Sequence, residues 1–214
     1  MPTIYRNERK GNVSEQLLKN KALTLKAIEE AVKRLGYLWF TEGDYNLNLV
    51  GIRSSDTDSN AFNDCLIVAF FVDQRPHLFI FDCTTDPGIY WRKHPINVLG
   101  TAIVKPGQYP GLWKIGKHQG RYEALVQRSP VTVYRDNNKD QAIDVSDNTP
   151  VETGFFGINC HKAGDSSKQV DKWSAGCQVL SSDDDFGLLM ALCRKAAAKW
   201  GNSFTYTLID QERL

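Results

Sequence analysis

Residues from about 48 to 135 form short β-branched and aromatic runs separated by turn residues: "CLIVAFFV" at 65–72, "DQRP", "HLFIFDC", then "GTAIV", "KPGQYPG", "EALVQ" and "VTVYRD". Strands this short and this closely spaced leave no room for alternating crossover helices. They predict a sandwich or a strongly curved sheet rather than parallel βαβ units.

The flanks have a different period. Leu17, Leu18, Leu25, Ile28, Val32 and Leu35 recur at three- and four-residue steps, which predicts an amphipathic helix over 14–35. Asn12 with Glu15 suits a capping box, and Gly36 supplies the stop. A second helix is expected from Ser182, with Asp183, Asp184 and Asp185 at the positive end of its dipole, through Leu189, Met190, Cys193 and Ala197 to Gly201. The strand "SFTYTLI" follows. The expected class is α+β and β-rich, with a helical extension over 1–36 packed on a single domain over 37–214. The segment "RDNNKDQAIDVSDNTP" reads as a long polar surface loop.

Lys and Arg total 26 against 25 for Asp and Glu, so the net field offers no footprint for nucleic acid or an anionic membrane. The longest apolar run is too short to span a bilayer, so no membrane insertion is expected. The N-terminal residues carry basic groups with no apolar run behind them, which predicts synthesis in a cytoplasm without a secretory signal. Cys65, Cys83, Cys160, Cys177 and Cys193 are odd in number and form no C-x-x-C pair, as expected of free thiols rather than a disulfide framework or zinc ribbon.

Cys65, Cys83 and Cys160 begin or end apolar strands, and Cys193 lies on a helix stripe, where a thiol acts as a small hydrophobe. Cys177 follows Ser174, Ala175 and Gly176, small residues suited to a tight turn and to close approach by a substrate. His161, at the exit of "GFFGINC", is the candidate base that would favour its thiolate. A strand, loop and strand can bring the two together, yet spacing alone leaves two neighbouring core residues as an open reading. Asn159 lies on the same strand face as His161, to bind substrate or pair with backbone. Trp173 is a groove-lining candidate or a packing residue. His118, in "GLWKIGKHQGRY", is expected at the surface, with reach into the site from a sheet loop as the alternative. Dense metal-ligand spacing is missing, so neither a metal nor another cofactor is expected, and a zinc hydrolase built on His118, His161 and Cys177 is disfavoured.

The pair "INCH" and "SAGC" resembles the signature of the L,D-transpeptidase catalytic domain, in which a histidine precedes a Ser/Thr-His-Gly-Cys segment. His161 matches the upstream histidine, Ser174 the Ser/Thr, Gly176 the glycine and Cys177 the nucleophile. Ala175 stands in place of the second histidine, Lys162 follows His161 instead of glycine, the intervening loop is short, and Gln178 and Val179 replace the usual Arg or Asn. The similarity runs over roughly 80 to 180, including "TTDPGIY" and "GTAIVKPGQY". The chain also resembles, more loosely, single-domain lysis proteins of tailed bacteriophages.

The resemblance implies a peptidoglycan hydrolase acting on stem or cross-link peptides through a thioester, with Cys177 as nucleophile, His161 as general base and acid, and Ser174 orienting His161. It further implies an oxyanion site from the backbone N–H groups of Gly176 and Cys177, and substrate contacts from Asn159, Trp173 and Gln178. A phage lysin of this kind is made in the host cytoplasm and reaches the periplasmic wall through a holin-type membrane-permeabilising partner. A cross-linking L,D-transpeptidase and a non-enzymatic wall-binding or virion protein are the alternatives.

Overall fold

A computed structural model describes residues 3–6, 23–140, 142–146, 148–165 and 167–214. The chain is a mixed α+β protein, mostly sheet. Strands β1 (Thr3–Arg6), β2 (Asn48–Arg53), β3 (Asp64–Val72), β4 (Arg75–Thr84), β6 (Gly107–His118), β7 (Tyr122–Gln127), β10 (Cys160–Lys162), β11 (Gln178–Leu180) and β12 (Phe204–Asp210) share one sheet. Its order is β1-β4-β11-β10-β7-β6-β12-β2-β3, and a further pairing of β3 with β4 closes all but β1 into a barrel-like ring. Three remaining strands, β5 (Thr101–Val104), β8 (Val131–Asp136) and β9 (Val151–Gly154), form a small antiparallel sheet.

Local chemistry sets the joints. Asp73 and Gln74 both take positive φ, 48° and 62°, the conformation of a two-residue hairpin turn whose twist matches its strands, and β3 and β4 pair directly across it. The run "CLIVAFFV" lacks alternation because both of its faces are covered. Leu66, Val68 and Phe70 join a core to which every ring strand contributes, including Leu49, Phe81, Trp113, Leu125, Cys160, Leu180 and Tyr206. Cys65, Ile67 and Ala69 point the other way, into a second cluster with Val50, Ile52, Leu78 and Ile80.

Helix α1 (Leu25–Arg34) covers that second cluster with Ile28, Ala31 and Val32. It is shorter than its periodicity predicts. Thr24, in extended conformation, caps it by accepting the Ala27 N–H at 3.1 Å, so the helix starts there and not near Asn12. The expected turns at 14–22, with Leu17, Leu18 and the Asn12/Glu15 box, lie outside the described residues. Gly36, at φ 79°, ends the helix as expected. Helix α3 (Asp183–Trp200) has its expected bounds: Ser182 accepts the Asp185 N–H at 3.3 Å, Gly201 follows, and Phe186, Leu189, Met190 and Cys193 enter the ring's core. A short helix, α2 (Ile89–Lys93), has no counterpart in the sequence reading.

Candidate active site

Strands β10 and β11 lie side by side and parallel, with Cys160 opposite Gln178 and His161 opposite Val179. Cys160 and Gln178 face the core, so alternation turns His161 and Val179 to the other face. The pairing extends one residue back: Gln178 N–H donates to the Asn159 carbonyl at 2.9 Å. Asn159 and Cys177 therefore sit across from each other, and His161 is a diagonal neighbour of Cys177 at roughly 7–8 Å between backbones, within reach of side chains. Among the five cysteines, Cys177 alone reaches the surface.

The turn before Cys177 is built by Ser174. This residue is fully buried; its hydroxyl donates to the Cys177 carbonyl at 2.8 Å and accepts the Gly176 N–H at 3.1 Å, and its own carbonyl takes the Gly88 N–H at 2.9 Å. Ser174 thus shapes the loop, and among the described residues its hydroxyl makes no hydrogen bond to His161. The Gly176 N–H, expected in the oxyanion site, is committed to Ser174, while the Cys177 N–H has no hydrogen-bond partner among the described residues. Glycine is required at 176 because φ is 122° and a Cβ would lie 2.6 Å from the Ala102 carbonyl oxygen. Gln178, expected to touch substrate, is buried instead: its amide oxygen accepts the Tyr206 hydroxyl at 2.7 Å and its NH₂ lies 3.4 Å from the Thr85 carbonyl. The reason is parity, since the residue after Cys177 must face the core.

The Cys177 thiol donates to the Gly157 carbonyl at 3.4 Å. Burial pushes it up to about 11, against a smaller opposite pull from the Asn159 backbone N–H. The His161 imidazole is pushed down to about 4, chiefly by burial and then by His118, while the carbonyls of Lys162 and Trp173 favour its charged form. Its Nδ1 lies 2.9 Å from the Lys162 carbonyl and 3.5 Å from the Tyr122 hydroxyl. The resting pair is therefore neutral, a protonated thiol beside an uncharged imidazole, and no hydrogen bond joins the two among the described residues.

His118 overturns its surface assignment. Strand β6 runs on to residue 118, where His118 pairs with Tyr122 across the hairpin, and its ring stacks on His161 with centroids 4.2 Å apart and planes 24° apart. The "KHQG" segment has turn composition, but the turn begins one residue later, at Gln119 and Gly120 with φ 49° and 73°. Asn159 does pair with backbone, accepting the Gln127 N–H at 2.8 Å, and its amide also meets His118 Nδ1 at 3.0 Å. Neither His118 nor Tyr122 adjoins the Cys177 motif in sequence; the strand order of the ring was the missing signal.

Beside the turn lies a cleft of about 220 Å³ lined by Trp91, Ala102, Arg135, Phe156 and Ala175. Gly88 N–H to Ser174 and Trp91 Nε1–H to the Lys172 carbonyl, at 3.0 Å, bind α2 to the segment that carries Cys177. Trp173 is exposed and lies over Gly164, outside the lining of this cleft. Among the described residues no group of three His, Cys, Asp or Glu side chains is arranged to hold a metal ion. Stacked rings cannot aim lone pairs from both His118 and His161 at one ion. No protein family, no curated protein and no solved structure matches this chain.

Proposed function

We propose that this chain is a cysteine peptidase of L,D-transpeptidase type that hydrolyses peptidoglycan stem or cross-link peptides. The observation that carries the reading is the shared face of β10 and β11, which offers the one surface-reaching cysteine and a buried neutral imidazole, with Ala175 of the turn before Cys177 lining a cleft. His161 takes the Sγ proton as sulfur attacks the peptide carbonyl carbon. The Cys177 N–H stabilises the oxyanion, a contribution of roughly 3 kcal/mol for one donor. The C–N bond then breaks, His161 protonates the leaving amine, and a water deprotonated by His161 cleaves the thioester. With the thiol near 11 and the imidazole near 4, proton transfer occurs with attack and not before it.

Hydrolysis is favoured over cross-linking because a lysin gains nothing from new cross-links. Export to the periplasmic wall through a holin-type partner belongs to the same proposal. The raised Cys177 thiol favours a second reading, a wall-binding protein that keeps the site without activity.

Purified Gram-negative peptidoglycan decides between them. Wild type and Cys160→Ala are expected to release muropeptides whose masses name the cleaved bond, with Cys177→Ala inactive. An inactive wild type that still binds the wall establishes the second reading, and an active Cys177→Ala removes the thioester.

A further inference from the structure

Asn159 has a fixed orientation. The Gln127 backbone N–H can only donate, so the side-chain atom 2.8 Å from it is Oδ1. The NH₂ is thereby turned to His118 Nδ1, 3.0 Å away. An amide NH₂ also only donates, so Nδ1 carries a lone pair and the proton of His118 resides on Nε2. A second proton on His118 would enter at Nδ1, against the amide hydrogens. His118 is held neutral, with its ring face on His161.

We propose that His118 and Asn159 are a positioning pair that makes His161 the sole acceptor of the Cys177 proton. The inference rests on the peptidase reading for its catalytic consequence. The proton travels from Cys177 Sγ to His161 and then to the leaving amine, and His118 neither gains nor loses one. Uncharged, the ring covers one face of His161 without opposing an imidazolium there; charged, it pushes His161 down, so the Asn159 amide at Nδ1 keeps His161 available as the base. The surrounding groups are known. Arg121 from the β6–β7 turn disfavours charge on His118, Tyr122 from β7 borders both rings, and Lys162 on β10 is held by Asp183 of α3. Burial is the larger cause and acts in the same direction as Arg121.

Asn159→Asp tests the pair with little change of shape. One carboxylate oxygen still accepts the Gln127 N–H, and the other now accepts an N–H from His118 Nδ1, so His118 becomes able to charge. Ring ¹⁵N NMR on the full chain should show His118 as the Nε2–H tautomer in wild type and an upward move of its protonation by about one pH unit or more in Asn159→Asp. The acidic limb of wall digestion should move up by the same amount, lowering the rate roughly tenfold below the new midpoint. His118→Phe leaves nothing to titrate at 118, and combined with Asn159→Asp it should abolish the upward move of the acidic limb. An Nδ1–H tautomer in wild type, or an Asn159→Asp protein whose His118 titrates unchanged, overturns the proposal. If the wild type digests no wall, the peptidase reading fails while the NMR result still decides the tautomer.

Discussion

The Ser174 hydroxyl holds both sides of the turn that presents Cys177, accepting the Gly176 N–H at 3.1 Å and donating to the Cys177 carbonyl at 2.8 Å. A two-sided link of this kind fixes the backbone of Cys177. Ser174→Ala removes the hydroxyl and leaves a buried N–H and a carbonyl without it. The expected cost is about 2 kcal/mol, seen as a fall in Tm of roughly 4–8 °C. Activity should fall further than stability at assay temperature, because the oxyanion donor follows Cys177. Unchanged Tm and activity would remove the turn from the argument.

Two glycines separate strain from collision. Gly120 at φ 73° has open space around its would-be Cβ, whereas Gly176 at φ 122° would place one 2.6 Å from the Ala102 carbonyl oxygen. Gly120→Ala should cost about 1 kcal/mol from backbone strain alone. Gly176→Ala adds displacement of β5, for at least about 3 kcal/mol in all, and should abolish thiol presentation. Urea unfolding of both variants measures the difference; equal costs would show that the loop yields to the methyl group.

How much of this site was legible in the sequence depends on whether its parts are neighbours in the chain. Ser174, Gly176, Cys177 and His161 belong to one motif, and their positions on one sheet face follow from strand parity. Parity also turns Gln178 inward to Tyr206, a consequence that motif matching does not carry. His118 enters the sequence reading only as an alternative to a surface position, since its place depends on β7 separating β6 from β10 in the ring. The strands of 48–135 were legible from composition. Closure of the ring depends on the β3–β4 hairpin meeting β11 at its far edge, and no local pattern encodes that meeting.

Burial of His161 makes stability depend on pH. Its protonation is pushed down to about 4 in the folded chain, against about 6.5 for an exposed histidine. Between those values the unfolded chain binds the extra proton, so stability is full above about pH 6.5 and falls as pH drops toward 4, by roughly 3 kcal/mol in total. Melts of wild type and His161→Gln over pH 4.5–7.5 should converge at low pH by that amount. Parallel curves would mean that His161 takes up its proton at the same pH folded and unfolded.

Arg92 is a buried guanidinium on α2 whose Nη2 lies 2.5 Å from Asp136 Oδ2 and 3.1 Å from Asp140 Oδ1, and also meets the Ala142 carbonyl. It fastens Asp136, Asp140 and Ala142 to the helix that carries Trp91 into the cleft. Arg92→Leu leaves Asp136 desolvated and unpaired, which should cost about 3–5 kcal/mol. Adding Asp136→Asn removes that stranded charge, and the double variant should recover more than half of the loss. Recovery is expected because burial already raises the Asp136 carboxyl above its usual range and the Arg92 charge only opposes that rise. A double variant as unstable as Arg92→Leu would instead assign the loss to packing of the guanidinium stem, whose side chain is fully buried.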